Sequence, residues 1–99
     1  MSAYLIANVE IKDPAEYARY VELVPGTIAR HGGRYLARGG KAERLEGAWQ
    51  PKRLVILECE SAARAKEWWA SEDYRDARAL RWRAALTDMI LVEGLSPHA

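Results

Sequence analysis

Leu5, Ala7, Val9 and Ile11 alternate with Tyr4, Ile6, Asn8 and Glu10, which predicts a strand over Ala3–Ile11. Both sets begin apolar, as a strand in the middle of a sheet requires, and polarity enters one set at Asn8. The period then lengthens. Tyr17, Tyr20, Val21, Val24 and Ile28 form one stripe of a helix. Asp13 can cap it, Pro14 suits its first position, and Glu16 can complete a capping box. Pro25 lacks an N–H and clashes with the preceding turn, so a kink or a restart is expected near residues 24–26. His31-Gly32-Gly33 ends the helix at about Arg30.

Arg34–Arg38 is the second strand, with Tyr35 and Ala37 on one face and Arg34, Leu36 and Arg38 on the other. Gly39-Gly40 releases the chain into a polar loop over residues 41–52, where a short extension of the hairpin at 43–45 is expected. Residues 53–60 are the most apolar β-type run and belong inside a sheet. Ser61 caps a helix over Ala62–Ala70. Its Trp68 and Trp69 point about 100° apart and cannot both face the core. Ser71 is a second cap, with Glu72 and Asp73 where acids favour a helix N-terminus. That helix runs to about Ala85 on a thin stripe of Tyr74, Ala77, Leu80 and Ala84, and residues 87–93 form the last strand. From Gly94 the chain is a short tail.

The order β-α-β-β-α-β predicts an α+β, ferredoxin-like fold: a four-stranded antiparallel sheet with its helices on one face. Residues 1–99 are expected to make one domain with its core in 3–94. Several strands are apolar on the other face as well, which nothing in the chain is left to cover. Packing against a second copy is the economical solution.

Composition narrows the function classes. Net charge is +1, so no overall field favours nucleic acid, membrane or acidic partners, although the cations are mostly arginine and unevenly placed. Phe is absent, and the aromatic load falls on five Tyr and four Trp, which suit partly wet pockets and interfaces. Cys59 is the only cysteine, which rules out an internal disulfide and cysteine-rich metal sites. The N-terminal residues have neither a basic region nor an apolar stretch of signal-peptide length, and no run approaches the ~20 apolar residues of a membrane span. The chain reads as cytoplasmic. It has no phosphate-binding loop, dinucleotide fingerprint or nucleophile elbow. The third strand lacks the ring pair of RNA-binding ferredoxin-like domains. No cofactor, metal or nucleic acid is expected.

The ordered set Asp13-Pro14 with Tyr17 and Tyr20, Gly32-Gly33-Arg34-Tyr35, Arg38-Gly39-Gly40, Leu45-Glu46-Gly47 with Trp49, Arg53, Leu57-Glu58, Trp68 with Ser71 and Tyr74, Arg81, and Ile90-Leu91-Val92-Glu93-Gly94 resembles the family called domain of unknown function 1330. The resemblance covers about residues 3–94. It implies a dimeric α/β barrel, with two sheets facing each other and helices outside, and it implies no reaction. Related barrels include cofactor-independent monooxygenases, small-lactone isomerases and haem proteins. They share the fold but not these motifs, so function borrowed from them rests on fold analogy alone.

Candidate chemistry gathers on a few residues. Arg38, opening onto Gly-Gly, can clamp a carboxylate, or pair structurally with Glu58 or another acid. Arg53 and Glu58 are an odd number of residues apart and face opposite sides of a regular strand. Glu58, deep in an apolar run, must be paired or have a raised pKa that would suit a general base. Structural pairing with an arginine is the plainer role. Asn8, Tyr20, Trp68 and Tyr74, with Arg38 and Arg81, can line a cleft between helices and sheet, the usual make-up of a small-molecule pocket. A core built from aromatics in the absence of Phe is the plainer alternative. Trp49 in its polar loop, and Arg53, suit a rim or a dimer interface. His31 suits a helix C-terminus better than a metal.

These features point to a homodimer with a pocket for a small organic acid or aromatic metabolite. If it is an enzyme, no cofactor is needed: Arg38 would hold an anion while Glu58 or Tyr74 handles a proton. The competing classes are a non-catalytic ligand-binding or regulatory module and a purely structural dimer.

Overall fold

The computed structural model describes residues 2–95. Strand β1 (Ala3–Ile11) leads to helix α1 (Pro14–Arg30), then strands β2 (Arg34–Arg38) and β3 (Leu54–Cys59). Helices α2 (Ala62–Ala70) and α3 (Glu72–Ala84) follow, and strand β4 (Ala85–Glu93) closes the sheet. The strands lie in the order β2-β3-β1-β4, and every neighbouring pair is antiparallel. This is the expected ferredoxin-like arrangement, with the second helical segment split at Ser71. Ser71 works in both directions: its Oγ donates to the Trp68 carbonyl and accepts from the Tyr74 N–H. The tail expected from Gly94 is described only to residue 95, without regular structure; residues 96–99 lie outside the described residues.

Helix α1 runs through Pro25 as one helix, so the chain does not restart there. Its buried residues Tyr17, Tyr20, Val24, Thr27 and Ile28 hold both halves to the same sheet, and that packing outweighs one missing backbone bond. β4 begins at Ala85 rather than 87, because Ile11 pairs with Ala85 and the Lys12 and Asp13 amides both donate to the Ala84 carbonyl. Pairing with β1 thus overrides the helical preference of Ala85 and Leu86. No strand forms at 43–45, and residues 39–53 carry no regular structure.

The core lies between sheet and helices. Ala3, Leu5, Ala7 and Val9 of β1 are buried on the helix side, with Leu57 and Cys59 of β3 beside them. Among the described residues nothing covers the opposite face. Ile56, Ile6 and Ile90 stand abreast there across β3, β1 and β4, and Ile90 is 61% exposed. The Cα positions span only 16 Å in the thinnest direction, the depth of one sheet and one helix layer. Among the described residues no helix is long and apolar enough to cross a membrane.

Candidate functional site

A cleft runs between α1 and the sheet. Leu5, Ala7 and Val9 of β1 and Val55 and Leu57 of β3 make its floor. Tyr17, Tyr20, Val21, Val24 and Ile28 of α1 make its roof. Arg38, Arg53 and Arg81 supply its charged lining, and no carboxylate joins them. The free room is about 30 Å³, space for a water molecule or two.

Arg38 reaches this cleft because of a β-bulge. Tyr35 pairs with Leu57, but Ala37 pairs with Ile56 and Arg38 with Val55. Two residues of β2 therefore oppose one of β3, and the alternation expected for β2 reverses after the bulge. Arg38 thus shares the helix-side face with Tyr35, contrary to the strict alternation that separated them. Its guanidinium lies 4.6 Å from the Tyr35 ring centre and donates to the Val21 carbonyl at 2.9 Å. Burial pushes the Tyr35 hydroxyl pKa up, while Arg38 opposes the shift. Gly39 follows with φ +72°, and a Cβ there would collide with the Arg53 guanidinium. The first glycine of the Arg-Gly-Gly turn is therefore needed for its backbone, and a side chain there would push the Arg53 guanidinium aside.

The inner wall is a network of buried polar groups. The Trp68 indole N–H donates to Thr27 Oγ1 at 2.9 Å, and that hydroxyl donates to the Val24 carbonyl at 2.8 Å. The Trp68 and Tyr74 rings stack with centroids 4.0 Å apart. The Tyr20 and Tyr74 hydroxyls are 2.8 Å apart, and Arg81 Nε donates to Tyr74 Oη at 3.2 Å. Burial, reinforced by the Tyr74 hydroxyl, drives the Tyr20 pKa far upward, so this phenol stays protonated.

The structure brings together Tyr20, Arg38, Trp68 and Arg81 of the expected ligand-binding set. Tyr74 is fully buried behind that wall, its hydroxyl already committed to Tyr20 and Arg81. Asn8 does not belong to the cleft. Its register with Leu54 and Asp88 puts it on the open face, where its Oδ1 accepts the Lys52 amide at 2.9 Å. Glu58 does not belong either. It sits on the open face opposite Tyr4, and its Oε1 accepts from Arg34 Nε at 2.7 Å. Its partner is thus Arg34, not Arg38, and it cannot serve as a base in the cleft.

Arg53 is the reverse case. Expected at the rim or dimer face, it lines the cleft, with its guanidinium 5.6 Å from the Tyr17 ring centre and its Nε buried with no hydrogen-bond partner among the described residues. The Val9 amide donates to the Arg53 carbonyl at 2.9 Å, which continues the β3 alternation one residue before the strand and points Arg53 towards α1. Trp49 is 63% exposed in the loop and does not line the cleft. Thr27 and Tyr35 were missed. Thr27 sits one turn beyond Val24 and two beyond Tyr20 on the buried stripe, a polar residue that needs a buried partner. His31 caps α1 as expected, its Nδ1 2.9 Å from the Thr27 carbonyl. Among the described residues no group of His, Cys, Asp and Glu is placed to hold a metal.

Solved structures of similar shape show the fold. A protein of unknown function from Rhodopseudomonas palustris superposes with a TM-score of 0.74 at 23% identity, covering 97% of this chain and 84% of its own. A dimeric ferredoxin-like protein of unknown function from Jannaschia sp. CCS1 gives 0.69 at 11% identity, covering 95% and 100%. SnoaB, a cofactor-independent oxygenase from Streptomyces nogalater, gives 0.66 at 10% identity, covering 96% and 94%. No curated protein matches the sequence. The family described as domain of unknown function (DUF1330) matches residues 2–95, nearly the whole of the chain, and the protein belongs to that family.

Proposed function

We propose that the protein is a cytoplasmic homodimer of one folded domain per chain, and that the cleft beneath α1 binds a small organic acid with an apolar or aromatic body. The observation that carries this reading is the charge of the lining: three guanidinium groups among aromatic and aliphatic walls, with no acid beside them. Guanidinium groups in such surroundings match a planar carboxylate in shape and charge. Arg38 is exposed and held only by a carbonyl and a ring, so it can swing aside to admit a ligand larger than the present room. Binding without turnover is favoured over acid–base catalysis, because Glu58 is on the other face and the Tyr74 hydroxyl is occupied.

The apolar open face supports the dimer, as does the existence of dimeric proteins of this fold. A lone, buried free thiol at Cys59 suits a reducing compartment. The test is calorimetry and thermal shift with benzoate, phenylacetate and hexanoate against their amides. The acids are expected to raise the melting temperature and to bind at least about 10-fold more weakly to Arg38→Gln or Arg53→Gln. If no acid binds or shifts the melting temperature at millimolar concentration, the ligand reading fails.

A further inference from the structure

We propose a second ligand site, in the groove between the α2–α3 pair and edge strand β4, that takes a bulky aromatic carboxylate. The groove has about 390 Å³ of free room, far more than the cleft beneath α1. Trp69 and Trp82 flank it, 40% and 58% exposed, and Leu5, Met89 and Leu91 line its apolar part. Arg78 lies 4.9 Å from one indole and 5.1 Å from the other, which holds the two rings as fixed walls.

The polar groups of the groove specify the ligand. Arg81 is only 4% exposed, yet among the described residues no carboxylate comes within 4.0 Å of its charge. Among the described residues its side chain makes one hydrogen bond, to the Tyr74 phenol, leaving most of a guanidinium's five N–H donors to spare. A buried charge in that condition is half of an ion pair. Thr87 Oγ1, in the same lining, is buried and has no hydrogen-bond partner among the described residues. Lys66 adds a second cation, and no acid lines the groove. A carboxylate accepts two bonds from Arg81 and one from Thr87, while its apolar body covers the floor between the indoles. Arg81 also lines the cleft beneath α1, so the two sites share this residue. The groove inference does not depend on the cleft being occupied.

The test is a calorimetric and NMR titration of the full chain with 2-naphthoate and with uncharged 2-naphthamide. Naphthoate is expected to bind at least about 10-fold more tightly than the amide, and to shift the indole N–H signals of Trp69 and Trp82 but not that of Trp49. Thr87→Val is expected to weaken naphthoate by about 3- to 10-fold. Equal binding of acid and amide overturns the proposal, as does absence of binding at millimolar concentration. Loss of affinity in Arg53→Gln with none in Thr87→Val places the ligand in the other cleft and equally defeats it. The acid–amide comparison and the indole shifts need no variant, so the proposal stays testable if Thr87→Val does not fold.

Discussion

Arg38 donates to the main-chain carbonyl of Val21 at 2.9 Å, and that carbonyl is free because Pro25, four residues on, has no N–H to give it. A proline that should break α1 instead leaves an acceptor over the cleft, and an arginine from the sheet edge takes it. Replacing Pro25 with Ala restores the missing N–H and improves helix propensity. Pro25→Ala is expected to stabilise the fold by roughly 1–3 kcal/mol, read by urea denaturation. It also gives Arg38 a competitor for Val21, so carboxylate affinity in the cleft should change with it, whereas a distant stabilising substitution should leave affinity alone.

Tyr74 bridges two buried groups, the Tyr20 hydroxyl and the Arg81 guanidinium. Tyr74→Phe keeps the stack on Trp68 but strands both partners. The expected cost is about 1–3 kcal/mol in chemical denaturation. A cost near zero would mean that water replaces the phenol and that the inner wall is wetter than its burial suggests.

Glu58 faces away from the cleft and is paired with Arg34 and opposite Tyr4. Glu58→Gln should therefore leave the affinity of any cleft carboxylate within about 2-fold of the parent value, since the substituted group touches neither floor nor roof. A large loss in calorimetry would contradict the placement of Glu58 on the open face.

The isoleucine row Ile56–Ile6–Ile90 is the centre of the uncovered face. Ile90→Glu puts a charge into it without touching the helix-side core. Sedimentation at micromolar concentration should show a dimer for the parent chain and a folded monomer for the variant. A parent chain that sediments as a monomer removes the dimer from the proposed function.

Asp73 on α3 accepts two bonds from Arg30 on α1, at 2.8 Å each. The hydrogen bond from Arg30 holds the Asp73 carboxyl below its ordinary value, with His31 also contributing. A carboxyl whose pKa is lower in the folded than in the unfolded chain stabilises the fold above the unfolded value, and the contribution is lost as pH falls through the folded one. Asp73→Asn should thus lower the melting temperature at neutral pH. The gap to the parent should narrow below about pH 4, where the unfolded carboxyl begins to bind its proton. A gap that stays constant to pH 3 would show that the pair contributes nothing that titrates.

Local pattern was enough for most of the architecture. The spacing of apolar residues and the caps at Asp13, Ser61 and Ser71 identified the helices and strands, because these signals act within one or two turns of chain. The parity of Arg53 and Glu58 was legible for the same reason: neighbouring side chains of a strand must alternate. Which of them meets the helices was not, since that depends on β3 pairing with β1, some fifty residues away. Arg38 was beyond local inference altogether. Strict alternation sets it apart from Tyr35, and only the bulge against β3 returns it to the cleft, a property of two strands together and not of either alone. The carbonyl it finds exists because of Pro25, and the burial of Arg81 exists because α3 is laid over the sheet after the break at Ser71. Local spacing and capping set the elements and their order; pairing and packing between segments set which charges converge, because convergence is a relation that no single segment encodes.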